Sequence, residues 1–273
     1  MKRTTFFLSD RTGITAETLA HSLLTQFESV EFEHVNCPYI DTPEKAHEVV
    51  RRINEAEKRD GARPLLFSTL IDNRVREIVA TSGGLLIDFF DAFILPLEAE
   101  LGVRSTHAVG RSHGVGSYST YKARIDAVNF ALANDDGMTT RNYPDADVVL
   151  IGVSRSGKTP TCLYLALQYG ILAANYPLAD DDFEHCTLPA PLTEFRNKIY
   201  GLTISSERLQ QIRTERRPDS RYATLAQCTY EVQNAERLFK HESIRYADTS
   251  VMSIEEIATT IMHQAGLERR LYG

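Results

Sequence analysis

Residues 147–169 constrain the fold of this chain more than any other stretch. The apolar run Asp147–Ile151 reads as a buried strand. It leads directly into Gly152-Val153-Ser154-Arg155-Ser156-Gly157-Lys158-Thr159, after which a helical pattern runs to about Tyr169, with Gly170 placed to end it. The loop matches G-x-x-x-x-G-K-[ST] at every fixed position. At average composition such a match arises by accident in about one chain in a hundred of this length. A strand that turns through glycines into a helix belongs to parallel α/β layers.

Each residue type has a physical reason. Gly152 and Gly157 allow a tight turn and bring backbone N–H groups against phosphate oxygens. The helix starting near Lys158 adds the positive end of its dipole. Lys158 offers a full charge to terminal phosphate oxygens, and Thr159 a hydroxyl to Mg²⁺. Pro160 sits in the first helical turn, where its missing N–H removes no helix bond. The segment from Gly152 to Thr159, including Val153, Ser154 and Ser156, is therefore expected to bind nucleotide. Arg155 has two open readings: a second cation for a terminal or incoming phosphate, or a solvated side chain at the loop tip.

The rest of the chain carries the same α/β alternation. Thr5–Leu8, Val30–Val35, Pro64–Leu70 and Leu85–Asp88 read as strands. Between them, Thr15 is expected to cap a helix burying Leu19, Leu23, Leu24 and Phe27. A second helix opens at Asp41-Thr42-Pro43 and buries Ala46, Val49, Val50 and Ile53, and a third covers Asn73–Thr81. Residues 102–123 are rich in Gly, Ser, Thr and Tyr and read as a loop before a helix over Arg124–Ala133. Beyond the glycine-containing loop, Ile171–Tyr176, Ile199–Ser205 and Ile244–Ala247 read as strands and Ser206–Lys240 as mostly helical. Ser253-Ile254-Glu255-Glu256 forms a capping box for a last helix that buries Ile257, Ala258, Ile261 and Met262. The expected fold class is α/β: a parallel-sheet domain over 1–101, a linker loop and helix over 102–145, and a P-loop kinase-like α/β domain over 146–273.

A net charge of -7 argues against a dedicated nucleic-acid binder, and the lack of a long apolar run against a membrane span. Cys37, Cys162, Cys186 and Cys228 form no C-x-x-C pair, which fits reduced thiols and a cytoplasmic location. Weaker constellations remain. Arg208, Arg213, Arg216, Arg217 and Arg221 form a basic run suited to a lid over phosphates, or else a solvated helix face. Asp180, Asp181, Asp182 and Asp248 follow strands, but none carries a pattern that marks a magnesium acid. Ser9-Asp10-Arg11-Thr12-Gly13 lies between the first strand and helix, an edge where parallel sheets bind ligands. His107 and His113 flank Arg111 at a spacing unlike that of a helical zinc pair.

Together these segments resemble one family: SDRTGITAET near the N-terminus, RIDAVNFAL followed by DDG, and IGVSRSGKTPTCLYLA followed by NYPL. The chain is similar along essentially its whole length to the phosphoenolpyruvate synthase regulatory proteins and the related pyruvate, phosphate dikinase regulatory proteins. The resemblance implies a bifunctional serine/threonine kinase and pyrophosphorylase. Such an enzyme phosphorylates a target threonine from ADP, and removes that phosphate with inorganic phosphate, releasing pyrophosphate. The threonine lies beside the target's phosphate-carrying histidine. The opening SDRTGITAE and the length lean toward the synthase as partner, with the dikinase as the alternative and residues 1–101 as docking platform. A homo-oligomer is expected. Lys158 would be catalytic, Mg²⁺ would sit on Thr159, and Asp10, His107 and Asp126 are the candidate general bases. Two other readings stand beside this one: a small-molecule kinase of the nucleoside-monophosphate or shikimate type, and a nucleotide-binding module without chemistry.

Overall fold

The computed structural model describes residues 2–106, 118–183 and 186–270, with backbone only at 118–120. The chain divides into two compact units, Met1–Gly114 and Val115–Gly273.

In the first unit, β1 (Lys2–Leu8), β2 (Glu31–Cys37), β3 (Leu65–Ser68) and β4 (Leu85–Asp88) form one sheet of order β2-β1-β3-β4. Every pairing is parallel, which requires helical crossovers. These are α1 (Ile14–Leu24), α2 (Pro43–Asp60) and α3 (Asn73–Ala80), and α4 (Phe89–Leu101) follows the last strand. Alternation along β1 separates two cores. Phe6 and Leu8 pack with Ile53, Val75 and Val79, whereas Phe7 packs with Ala16, Ala20, Phe67 and Phe89.

Two expectations for α1 are corrected. Its N-cap position is Gly13, at φ 81, and Thr15 lies inside the helix. Its buried face is Ala16, Ala20 and Leu24, while Leu19, Leu23 and Phe27 are 40%, 48% and 57% exposed. The rings of Phe7 and Phe67 fill the space over the sheet together with Leu24, so small alanines meet them and Leu19 and Leu23 are left outside. In α2, Thr42 caps as expected by accepting from the Lys45 N–H, and Ala56 rather than Val50 completes the buried stripe. The helix over 89–101 has no counterpart in the sequence reading.

The second unit repeats the connectivity. β5 (Val148–Val153), β6 (Ala173–Leu178), β7 (Ile199–Thr203) and β8 (Tyr246–Asp248) form a parallel sheet of order β6-β5-β7-β8. All six residues of β5 are buried, as a central strand covered on both faces requires. On one face lie α5 (Tyr118–Ala133), α6 (Lys158–Tyr169) and α9 (Ile254–Ala265), through Ala127, Ala131, Leu165, Ala258 and Ile261. On the other lie α7 (Ser206–Arg216) and α8 (Leu225–His241), through Leu209, Val232, Ala235 and Phe239. Residues 118–123 thus begin α5 rather than extend the loop. The capping box at Ser253 and the buried stripe of α9 form as expected.

Two parallel-sheet α/β units are therefore present. In each, the strand order reverses beside the first strand, at β1/β3 and β5/β7. Crevices at such reversals, at the carboxyl ends of the strands, are where open α/β sheets take ligands. All four cysteines are unpaired. Among the described residues no helix is long and apolar enough to cross a membrane.

Candidate functional site

The turn from β5 into α6 occupies one of these reversals. Gly152 is required by close approach: a Cβ there would lie 2.3 Å from the Leu202 carbonyl oxygen and 2.9 Å from Ser156 Oγ. Gly157 caps α6 at φ 92 without a side-chain cap, a left-handed conformation that favours glycine. The first amides of α6 thus lack a capping side chain and remain available to an anion. Arg155 also takes a left-handed conformation, φ 76, with its side chain exposed. For a non-glycine residue this costs about 1–3 kcal/mol and persists only where neighbours enforce it.

Lys158 is folded into the turn. It is 4% exposed, and its Nζ donates to the carbonyl oxygens of Gly152 and Val153, both at 2.9 Å. Burial pulls its pKa down to about 8. Asp136, Cys162 and Asp135 oppose that fall, and Arg213 adds to it. The ammonium therefore spends its charge on the loop's own carbonyls and is destabilised there. Ser156, 1% exposed, has a buried Oγ with no hydrogen-bond partner among the described residues. An orphan hydroxyl and a buried cation in one turn fit an anionic ligand.

Thr159 Oγ donates to Asp135 Oδ1 at 2.8 Å. Asp135 sits in a 3-10 turn, Asp135–Gly137, that ends α5, and Asp136 there has φ 49. The turn is pinned by fully buried Asn175 of β6, whose Nδ2 donates to Asp135 Oδ1 and whose Oδ1 accepts from the Asp136 N–H at 3.0 Å. A hydroxyl and a carboxylate in contact are an oxygen donor pair suited to Mg²⁺. In the sequence this acid carries no assignment. It lies 24 residues before Thr159 and does not end a neighbouring strand, so the one signal available was the DDG segment itself. Three of the acids considered from the sequence have other partners: Asp182 accepts from the Ala179 N–H, Asp180 from Gln227, and Asp248 from the Ser250 N–H.

The remaining candidates are distributed. Asp126 is exposed on α5 in the second unit. Asp10 belongs to the first unit, at the end of β1, and is 9% exposed with Oδ2 unpartnered among the described residues. Burial raises its pKa, opposed by the backbone N–H groups of Asp10 and Ile71 and by Arg11. Its loop ends at Gly13 in much the same left-handed conformation as Gly157. His107, with Arg111 and His113, lies outside the described residues. The basic run divides: Arg208, Arg216, Arg217 and Arg221 are exposed, but Arg213 is fully buried and is no part of a solvated lid face.

The family model described as kinase/pyrophosphorylase matches residues 5–262. This chain belongs to the kinase/pyrophosphorylase family. Curated relatives agree over full length. A candidate phosphoenolpyruvate synthase regulatory protein of Alkalilimnicola ehrlichii is 58% identical over 271 residues, covering 99% of this chain and 98% of its own. Proteins of the same name from Stutzerimonas stutzeri and Pseudomonas putida are each 54% identical, covering 99% of this chain and 100% and 99% of theirs. A solved LacI transcriptional regulator from Lactobacillus brevis aligns at 9% identity with a TM-score of 0.21, covering 90% of this chain and 98% of that one. That score is too low to carry any argument. For the kinase/pyrophosphorylase family, the turn at 152–159 with Asp135 is the candidate phosphate site of this member.

Proposed function

We propose that this protein regulates phosphoenolpyruvate synthase by reversible phosphorylation. In one direction the β-phosphoryl group of ADP passes to a threonine hydroxyl of the synthase, leaving AMP, and the hydroxyl proton passes to a base. In the other, inorganic phosphate attacks the phosphothreonine, restoring the hydroxyl and releasing pyrophosphate. Family membership supports the pair of activities, and the names of the relatives support the target. Pyruvate, phosphate dikinase is the alternative target.

The observation that carries the reading is the turn 152–159, taken as a P-loop. It sets a buried lysine, an orphan serine hydroxyl and uncapped helix amides together at a sheet reversal. The residues fit a diphosphate. Lys158 would leave its two carbonyl partners for phosphate oxygens, and the amides of α6 and Ser156 Oγ would complete the cradle. Thr159 and Asp135 would hold Mg²⁺, which when bound neutralises charge shared by the leaving and transferred phosphates. Both reactions are displacements at phosphorus, so positioning and charge neutralisation supply most of the catalysis. The base in the kinase direction is drawn from Asp10, Asp126 and His107. It is the residue whose replacement stops transfer to threonine while ADP still binds.

The deciding experiment supplies β-labelled ADP to purified synthase carrying its phosphohistidine, with Lys158→Ala as control. Label on a synthase threonine, lost in the variant, is the expected result. No label with a competent synthase would sink the reading, and label on a metabolite without protein partner would favour a small-molecule kinase.

A further inference from the structure

Arg213 of α7 is the largest fully buried side chain among the described residues, and its bonds converge on the phosphate loop. Its Nη1 and Nη2 donate to Glu231 Oε1 and Oε2 at 3.0 and 2.6 Å. Nη1 also donates to the Tyr222 carbonyl oxygen at 3.1 Å, and Nη2 to the Ser154 carbonyl oxygen at 3.0 Å. The guanidinium lies 4.0 Å from the centre of the Tyr222 ring. The hydroxyl of that tyrosine is 2.9 Å from Ser154 Oγ. Ser154 is thus held twice, by its carbonyl and by its side chain, directly before the left-handed Arg155.

We infer that Arg213 is a positioning residue for the phosphate site: with Glu231 and Tyr222 it clamps Ser154 and so sets the conformation of the loop that receives the phosphates. The inference rests on the reading of residues 152–159 as a phosphate loop. Two arguments support it. A buried Arg–Glu pair pays a large desolvation cost, and well-packed apolar residues are often at least as stable, so stability alone is a poor reason for it. Here the cost is greater still, because Arg213 Nε is buried without a partner among the described residues. Second, left-handed Arg155 needs outside enforcement, and the bonds to Ser154 supply it one residue away. Arginine suits the task because its planar fork serves several acceptors at fixed angles, which an ammonium does not.

The test uses the full chain, with ADP and pyrophosphate as calorimetric probes and the thermal midpoint as a control for folding. Tyr222→Phe keeps the ring under Arg213 and removes only the hydroxyl on Ser154; Ser154→Ala removes its partner. Each is expected to weaken both probes about three- to tenfold, on the order of one hydrogen bond, with the chain still fully folded at the assay temperature. The double variant is expected to lose no more than either single one, because one contact is removed twice. Arg213→Lys is expected to bind more weakly than either. Wild-type affinity in all variants, additive losses, or losses that merely follow a falling midpoint would overturn the inference. If Arg213→Lys fails to fold, the two hydroxyl deletions decide alone. A wild-type chain that binds neither probe would instead remove the phosphate-loop reading itself.

Discussion

Nucleotide binding is expected to draw a proton onto Lys158. Burial lowers this lysine from 10.5 to about 8, equivalent to about 3 kcal/mol against the ammonium. Without ligand it should be roughly nine-tenths charged at pH 7, half at pH 8 and a tenth at pH 9. Phosphate oxygens stabilise the charge and raise the pKa again, so binding takes up the missing proton. ADP affinity should hold steady below pH 7 and fall by up to about tenfold between pH 7 and 9, about fivefold of it between pH 8 and 9. Calorimetry at pH 8 in two buffers of different ionisation enthalpy should report about half a proton taken up per ADP, and Lys158→Met none. Affinity flat from pH 7 to 9, with no dependence on buffer, would refute the reasoning. The same group acts on stability with a definite sign. Between about 8 and 10.5 the unfolded chain binds the extra proton, so this lysine makes stability rise with pH, and below about 8 its cost is fully present. Cys162, raised by burial from 9.0 to about 12, acts in the opposite sense above 9. The difference between wild type and Lys158→Met isolates the lysine.

Three further outcomes are expected. Asp135→Asn keeps an acceptor for Thr159 but loses the charge, and should weaken Mn²⁺ binding in the ADP complex roughly ten- to hundredfold, read by electron paramagnetic titration; equal Mn²⁺ affinity would remove Asp135 from the metal site. Gly152→Ala drives a Cβ against the Leu202 carbonyl and should destabilise the second unit by about 1–3 kcal/mol, measured by urea denaturation; an unchanged midpoint would mean that the turn can shift. Glu231→Ala leaves the Arg213 charge buried without its carboxylate and should cost about 3–5 kcal/mol in the same assay, and a loss below 1 kcal/mol would mean that water reaches the guanidinium.

Local signals were legible wherever one short segment decides the outcome. Thr42 before Pro43, Ser253 with Glu256, and Gly170 and Gly266 at helix ends all behave as their spacing predicts, because a cap is settled within four residues. The face of α1 was not legible. Leu24 is buried as its spacing predicts, but Leu19, Leu23 and Phe27 are not, because Phe7 and Phe67, distant in sequence, already occupy the space that α1 covers. Helix α4 was hidden differently: Pro96 interrupts a mostly apolar run, and the pattern shows no clear polar face.

The candidate site divides along the same line. The eight residues from Gly152 to Thr159, and the strand and helix around them, are determined by the sequence itself. Glycine, lysine and a hydroxyl at fixed spacing form a turn whose geometry is local. The tertiary structure alone decided that Asp135 meets Thr159 across 24 positions through the Asn175 of a neighbouring strand. It also withdrew Arg213 from an exposed basic run to hold Ser154 across 59 positions. Neither placement has a local signature. Both depend on which strands lie side by side and on which polar groups then need a buried partner, and that is settled only when the sheet and its helices close.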